Sequence, residues 1–161
     1  MRWFMGVATA VFVLDQVSKL VVVQWLGLKQ VLEIAVMPPY LVFRMGWNQG
    51  VNFGLFANGA EASRWVLIGV ALAVSGFLVW WARARLKTLL RRALAGAVVG
   101  GALANALDRV LYGAVADFLN MSCCGIDNPY TFNLADVAIF AGALGLALFG
   151  TDERRSVKKN R

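Results

Sequence analysis

Four long hydrophobic stretches dominate the chain, at about 3–24, 65–82, 93–112 and 132–150. Each approaches the ~20 residues that cross a bilayer as a helix. The second carries no charged residue, whereas the others contain ionisable groups that lipid would not tolerate, so those groups should face protein or water. The first stretch has a basic start but no small-residue cleavage site, so we expect it to be retained. The pattern predicts four transmembrane helices arranged up and down.

The links between these stretches have a different pattern. Pro38-Pro39 precedes an aromatic and β-branched run at 40–45, which predicts a strand. The following run, 46–54, contains three glycines, which indicate turns or a close backbone approach to a ligand. Asn128-Pro129 excludes a helix continuous with the fourth stretch. We therefore predict one membrane domain over 1–161, all-α apart from a small β-containing segment outside the cytoplasm.

Composition agrees with a membrane protein, since 60% of the residues are hydrophobic and 16% are charged, against about 25% charged in soluble domains. The net charge of +7 is unevenly distributed. By the positive-inside rule, the basic clusters place both termini and the 83–92 link in the cytoplasm. This distribution marks topology and contact with lipid headgroups, and it argues against nucleic-acid binding. The clustered residues are Arg2, Arg83, Arg85, Lys87, Arg91, Arg92, Arg154, Arg155, Lys158, Lys159 and Arg161.

The scarcity of metal-binding and nucleophilic side chains restricts the chemistry. The chain has no histidine, which excludes histidine-based triads and histidine-dependent zinc hydrolysis. Its two cysteines, Cys123 and Cys124, are adjacent and lack the spacing of metal ligands. A vicinal disulfide is one interpretation of the pair, and two unpaired or packing residues is the simpler one. We predict no metal and no cofactor.

Ionisable residues within the stretches all fall in their outer halves. Asp15 and Lys19 are four residues apart and share a helix face, so they can form an ion pair. Asn105, Asp108 and Arg109 also share one face, and we expect Asp108 to form a salt bridge with Arg109. These residues are therefore interpreted as supporting ones.

Asp117 and Asp136 differ because neither has a basic residue within a helical turn and both have apolar neighbours. Two such carboxyl groups that share a proton form the arrangement of aspartic peptidases, which need no metal or histidine. One carboxylate takes a proton from water and the other hydrogen-bonds the peptide carbonyl. The alternative is that each aspartate only caps a helix end.

Two other classes of protein also place charged residues within a membrane. Intramembrane Asp, Lys and Arg mark ion pathways in transporters and channels, but the sequence lacks the inverted repeats typical of many transporters. A non-catalytic membrane scaffold is the third interpretation. Both alternatives predict that peptidase activity is either absent from the parent protein or unaffected when Asp117 or Asp136 is replaced by asparagine.

Five motifs in order resemble those of the lipoprotein signal peptidase (signal peptidase II) family. The resemblance covers nearly the whole chain, and its strength lies in the order of the motifs on a frame of four hydrophobic stretches. The motifs are Asp15-Gln16-Val17-Ser18-Lys19, Asn48-Gln49-Gly50-Val51-Asn52-Phe53-Gly54, Gly100-Gly101-Ala102-Leu103-Ala104-Asn105-Ala106-Leu107-Asp108-Arg109, Val115-Ala116-Asp117-Phe118 and Phe132-Asn133-Leu134-Ala135-Asp136.

The resemblance implies an enzyme of the bacterial inner membrane that removes the signal peptide from diacylglyceryl-modified prolipoproteins, before the lipidated cysteine. It implies that Asp117 and Asp136 are the catalytic pair near the periplasmic face. It further implies inhibition by the cyclic peptide globomycin, and we expect the chain to work as a monomer. The supporting or substrate-binding residues would be Asp15, Lys19, Asn48, Gly50, Asn105, Asp108, Arg109 and Asn133.

Overall fold

Helices make up most of the protein in a computed structural model, which describes residues 1–50 and 59–149. Residues 51–58 and 150–161 lie outside the described residues, and with them part of the second motif and the C-terminal basic cluster. The helices are α1 (Arg2–Lys19, continued by a π-helical segment Leu20–Trp25), α2 (Leu28–Val31), α3 (Gly59–Ala84), α4 (Leu89–Tyr112) and α5 (Leu134–Phe149); the strands are β1 (Glu33–Met37), β2 (Leu41–Asn48) and β3 (Val115–Asn120).

Three of the helical segments are long and apolar enough to cross a membrane: Arg2–Trp25, Glu61–Ala84 and Leu89–Tyr112. They match the first three hydrophobic stretches to within a few residues, except that α3 begins earlier than predicted. Helix α5 matches the fourth stretch but has 16 residues, which extend about 24 Å. The multi-pass helical architecture is thus confirmed, while the fourth crossing and the cytoplasmic termini stay predictions.

Helix α4 lies at the centre of the bundle and packs against α1, α3 and α5. Glycines on two of its faces allow this close approach. A Cβ at Gly96 or Gly100 would collide with the α1 backbone at Phe4 or Ala8, and a Cβ at Gly101 would lie 2.6 Å from the Ala135 carbonyl oxygen. The backbones of α1 and α5 therefore lie directly against the face of α4 that carries Asn105 and Asp108.

The three strands form one antiparallel sheet in the order β1-β2-β3. Strand β2 confirms the strand predicted at 40–45. Strand β3 was not predicted, so the β segment draws on both long links rather than on the first alone. Helix α4 ends at Gly113, whose φ of +80° is the left-handed conformation that glycine adopts readily. The chain then enters β3, where Asp117 lies opposite Gly46 of β2.

Candidate active site

Asp117 lies in the middle of β3 with only 2% of its surface exposed. Its two carboxylate oxygens accept hydrogen bonds from different elements. The Asn48 amide of β2 donates to Oδ2 over 3.1 Å, and the Asn133 amide donates to Oδ1 over 2.6 Å. Burial, followed by the nearby charge of Asp136, raises the pKa of Asp117 to about 6.

Asp136 is half-buried in the first turn of α5. It forms a reciprocal cap with Asn133, the residue just before the helix. The Asn133 N–H donates to Asp136 Oδ2 over 3.2 Å, and the Asp136 N–H donates to Asn133 Oδ1 over 2.9 Å. The alternative interpretation as a helix cap is therefore correct for this contact, but Oδ1 of the same carboxylate accepts a 2.8 Å bond from the Asn105 amide.

Asn133 connects the two aspartates. Its side chain is fully buried, and its amide nitrogen donates both to Asp117 and, over 3.1 Å, to the Asn105 oxygen. Asn105 in turn donates to Asp136. The structure thus brings Asp117, Asp136, Asn48, Asn105 and Asn133 into one hydrogen-bonded network, although these residues lie on four different elements.

A buried ion cluster lies behind this network. Lys19 Nζ is 2.6 Å from Asp15 Oδ2, 2.7 Å from Asp108 Oδ2 and 3.3 Å from Asn105 Oδ1. The predicted Asp15–Lys19 pair is confirmed. The predicted partner of Asp108 was wrong, because Lys19 and not Arg109 forms its salt bridge. The reason is geometric, since α1 packs against the face of α4 that carries Asp108 and brings Lys19 to it.

The ion cluster also accepts backbone hydrogen bonds from two elements that carry the aspartates. Asp15 Oδ1 accepts from the Ala135 N–H of α5 over 2.9 Å, and Asp108 Oδ2 accepts from the Ala116 N–H of β3 over 3.2 Å. Each bonded residue is next to one of the two aspartates in sequence. The cluster therefore fixes the backbone on which Asp117 and Asp136 are placed.

Arg109 supplies a positive charge near the two aspartates, with both of which it interacts electrostatically. Its side chain is half-buried, and its Nη1 donates a long 3.4 Å bond to the Asn105 carbonyl oxygen. Its Nε is buried and has no hydrogen-bond partner in the part of the chain that the structure describes. Arg109 is therefore placed as a cation beside the network rather than as a member of the ion cluster.

A cavity of about 290 Å³ opens beside Asp117. Its lining mixes polar and aromatic side chains from the sheet and from the link before α5. Gly50, at a φ of +85°, follows this wall and donates its N–H to Asn48 Oδ1 over 2.9 Å, which orients the amide that bonds Asp117. The lining residues are Gly46, Trp47, Asn48, Asp117, Pro129, Tyr130 and Thr131.

Gln16 is a site residue that sequence reasoning missed. Its amide donates to Asp108 Oδ1 over 3.0 Å, and it lines a second cavity of about 260 Å³ together with Lys19, Trp47 and Tyr112. A polar amide in an apolar helix next to Asp15 was the available signal. Among residues 1–50 and 59–149, no group of three or more His, Cys, Asp or Glu is placed to hold a metal ion.

Solved structures with the same fold are known. Two bacterial membrane enzymes, determined by the in meso method at 2.3 Å and 1.9 Å resolution, superpose with TM-scores of 0.74 and 0.76. Each shares 24% sequence identity with this chain; the matches cover 90% of it and 85% or 90% of the solved chain. At this identity the likeness establishes the fold.

Sequence comparisons establish the family. The family model described as Signal peptidase (SPase) II matches residues 7–151. A lipoprotein signal peptidase of Methylorubrum extorquens is 45% identical over 143 residues, covering 86% of this chain and 80% of the relative. Those of a Methylobacterium species and of Pseudomonas fluorescens are 41% and 39% identical, covering 88% and 90% of this chain and 84% and 85% of the relatives. Together with the membrane-length helices, these matches show that the chain belongs to the lipoprotein signal peptidase (signal peptidase II) family of membrane-embedded peptidases.

Proposed function

We propose that this peptidase removes the signal peptide from diacylglyceryl-modified prolipoproteins, cutting before the lipidated cysteine with water activated between Asp117 and Asp136. The single observation that carries the proposal is the pair of aspartates joined through Asn133, of which Asp117 lines an open cavity. Two acidic groups that share a proton can activate water without a metal or a covalent nucleophile.

The surroundings of the two aspartates support different roles. Asp117 is almost fully buried and its raised pKa favours the protonated form. Asp136 lies in the first turn of α5, where the helix dipole favours a negative charge. We therefore assign Asp136 as the ionised member of the pair and Asp117 as the protonated one.

The reaction then follows from these roles. Asp136 takes a proton from water, and the water oxygen attacks the scissile carbonyl carbon while Asp117 donates a hydrogen bond to the carbonyl oxygen. Collapse of the tetrahedral intermediate breaks the C–N bond, and the leaving amine receives a proton from the pair. The Asn48, Asn105 and Asn133 amides hold the carboxylates in place and lower the reorganisation that the reaction requires.

The position of the site agrees with a lipid-anchored substrate. Asp117 lies on the sheet just beyond the end of α4, and the neighbouring Trp47 and Tyr112 rings lie 5.8 Å apart. Trp and Tyr side chains are enriched at the membrane–water interface. A diacylglyceryl anchor in the outer leaflet would hold the scissile bond at this depth. We propose that this end of the bundle faces the periplasm in the bacterial inner membrane.

We further propose that the chain acts as a monomer and that globomycin occupies the cavity next to Asp117, wedged between the aspartates. We also propose that segment 38–56 clamps over the substrate; its residues 51–56 lie outside the described residues. In its described part, Gly46, Trp47 and Asn48 of β2 form one wall of the cavity, and Gly50 orients the Asn48 amide.

The test compares cleavage of a lipidated precursor by the purified chain and by the variants Asp117→Asn and Asp136→Asn. Each variant should lose at least ~10²–10⁴-fold in rate, the usual contribution of a general acid or base. Asp127→Asn is the matched control, because Asp127 is exposed in the link that follows β3, the strand that carries Asp117. Cleavage that persists in Asp136→Asn would contradict the assignment of Asp117 and Asp136 as the catalytic pair. If the parent protein leaves the lipidated precursor uncleaved, the proposed substrate is wrong.

A further inference from the structure

The two cysteines of this chain form an exposed pair in the link between β3 and α5. Cys123 and Cys124 are the only cysteines in the sequence. Both are free and exposed, and their Sγ atoms lie 2.7 Å apart. Exposure removes the interpretation that they pack in the core, and the mechanism proposed above uses neither thiol.

A tight turn holds the two sulfur atoms together. The Ile126 N–H donates to the Cys123 carbonyl oxygen over 2.9 Å, which closes the turn. Its two central residues, Cys124 and Gly125, have φ values of +60° and +80°. Two successive positive φ values are typical of the turns that close hairpins. Cys124 thus takes a left-handed conformation that non-glycine residues adopt only rarely.

Hydrogen bonds connect this turn to the wall of the cavity beside Asp117. The Asn128 N–H donates to Ser122 Oγ over 3.0 Å. The Asn120 amide, at the end of β3, donates to the carbonyl oxygens of Asn128 and Tyr130 over 2.7 Å and 2.9 Å. Tyr130 lines the cavity. Ser122 and Asn128 therefore form a hydrogen-bonded connection between the turn and Tyr130, because the Tyr130 N–H also donates to Asn128 Oδ1 over 3.0 Å.

We propose that Cys123 and Cys124 form a redox modification site that takes a disulfide-class oxidant and closes into a vicinal disulfide. One thiolate attacks a sulfur of the oxidant, forming a mixed disulfide and releasing one thiol. The second cysteine attacks the cysteine sulfur of that mixed disulfide, forming the Cys123–Cys124 bond and releasing the second thiol. The two cysteines lose two electrons and two protons, and the oxidant disulfide is reduced to two thiols.

The closed form should differ in how the cavity receives substrate. Ring closure across one peptide bond constrains the backbone of Cys124, so the turn must change shape. The change reaches Tyr130 through the bonds of Asn128, while Asp117 and Asp136 keep their own partners. We expect a change in KM for the lipidated precursor and little change in kcat. If this link faces the periplasm, as the proposed function places it, the pair lies in a compartment that permits disulfides.

The test equilibrates the full chain in detergent micelles with oxidised glutathione, or with dithiothreitol as the reduced reference, and measures intact mass after alkylation. The oxidised chain should lose two hydrogens, about 2 Da, and take up no alkylating reagent. Cys123→Ser and Cys124→Ser are matched controls, because one thiol cannot close the ring and should retain a glutathione adduct. These masses do not depend on peptidase activity, so their outcome is separate from that of the proposed function.

Three results would overturn the redox site: two alkylatable thiols after oxidation, two stable glutathione adducts, or chains cross-linked on a non-reducing gel. KM is then measured after oxidation and after reduction for the parent chain and for the variant that carries both Cys123→Ser and Cys124→Ser, which has no thiol to oxidise. A KM that responds to oxidation in the parent but not in the variant supports the connection to the cavity. Equal KM values for the two forms of the parent overturn that connection.

Discussion

At the scale of single residues, asparagine side chains determine how the two aspartates are presented. Asn133 uses its amide as a donor to Asp117 and its oxygen as an acceptor from the Asp136 N–H. Asn105 donates to Asp136 and accepts from both Asn133 and Lys19. An aspartate at either position would lack the donor, so these positions require an amide. The resemblance of the motifs to a known family named Asn105 and Asn133 as supporting residues. Local spacing alone does not show that segments so far apart in the chain meet.

The salt-bridge partner of Asp108 could not be predicted from the local sequence. Arg109 is its neighbour in the chain, but neighbouring residues on a helix project in different directions. Lys19 reaches Asp108 only because α1 lies close against α4 at Gly96 and Gly100. The close approach of the two helices depends on how segments far apart in the sequence pack. The spacing of charged residues along the chain does not reveal it.

The raised pKa of Asp117 predicts a pH limit on catalysis. If Asp117 must be protonated, kcat/KM should fall as pH rises through about 6, by about tenfold per unit well above it. Asn48 lowers this pKa through its hydrogen bond to the carboxylate. Asn48→Ala should therefore move the basic limb of the kcat/KM profile to higher pH, whereas Asp127→Asn should leave it in place. A limb that stays at the same pH in Asn48→Ala contradicts the role of Asp117 as the acid.

The same group makes stability depend on pH. Because the pKa of Asp117 rises from 3.8 to about 6 on folding, the folded state holds its proton more tightly than the unfolded state. This contribution is fully present below pH 3.8 and is lost as pH rises through about 6, which costs about 3 kcal/mol. Asparagine does not titrate, so Asp117→Asn should gain up to that amount relative to the parent between about pH 4 and about pH 8.

Thermal unfolding of Asp117→Asn and of the parent, in one detergent at about pH 4 and at about pH 8, measures this difference in stability. The loss of one hydrogen bond with Asn48 shifts the stability of Asp117→Asn equally at both pH values, so the pH-dependent part is the quantity of interest. Asp127→Asn controls for a change in net charge alone. A stability difference between Asp117→Asn and the parent that does not vary with pH would show that folding does not raise the pKa of Asp117.

At the scale of elements, the helices were predictable and strand β3 was not. A transmembrane helix satisfies its own backbone hydrogen bonds, so its length and hydropathy are visible locally. Strand β3 has six residues and includes Asp117, and its hydrogen bonds go to β2, far away in sequence. Nothing in its own pattern separates it from a loop. Its backbone nevertheless determines where Asp117 lies.

The close packing of α1 on α4 places the ion cluster. A substitution at Gly100 tests this packing. Gly100→Ala would put a methyl group against the Ala8 backbone, and overpacking typically costs about 1–3 kcal/mol. Gly76→Ala in α3 is the matched control, because no atom lies within 4 Å of its added Cβ. We expect Gly100→Ala to lower the thermal unfolding temperature and Gly76→Ala to leave it equal or higher. Equal effects of the two substitutions would contradict the close approach.

Lys19 links α1 to α4 through its charge, which gives a second test at this scale. Lys19→Met would leave Asp15 and Asp108 buried without their cation, and breaking a buried ion pair costs about 3–5 kcal/mol. Lys29→Met is the control, because Lys29 is exposed and bonds only Gln24 among the described residues. Denaturant or thermal unfolding of the two variants measures the contrast. A loss in Lys19→Met no larger than in Lys29→Met would show that the cluster does not stabilise the bundle.

At the scale of the whole molecule, the hydrogen-bonded network of the two aspartates and the basic link lie at opposite ends of the bundle. Helix α4 begins at Leu89, directly after the basic link that contains Arg85 and Lys87 and follows Arg83 in the last turn of α3. Asp108 lies 19 residues further along the same helix, which is about 29 Å and close to the ~30 Å thickness of the hydrocarbon core. The basic link therefore lies about one bilayer away from Asp108, which bonds the backbone next to Asp117.

This separation predicts a topology that the two native cysteines can report. Basic links remain in the cytoplasm, so the opposite end, with Cys123 and Cys124, should face the periplasm. In intact spheroplasts under reducing conditions, a membrane-impermeant maleimide should label the parent chain without lysis. The matched control carries Cys123→Ser, Cys124→Ser and Lys87→Cys, which moves the thiol to an exposed position in the basic link, and should be labelled only after lysis. The reverse pattern would place the aspartates on the cytoplasmic side and remove the depth argument for a lipid-anchored substrate.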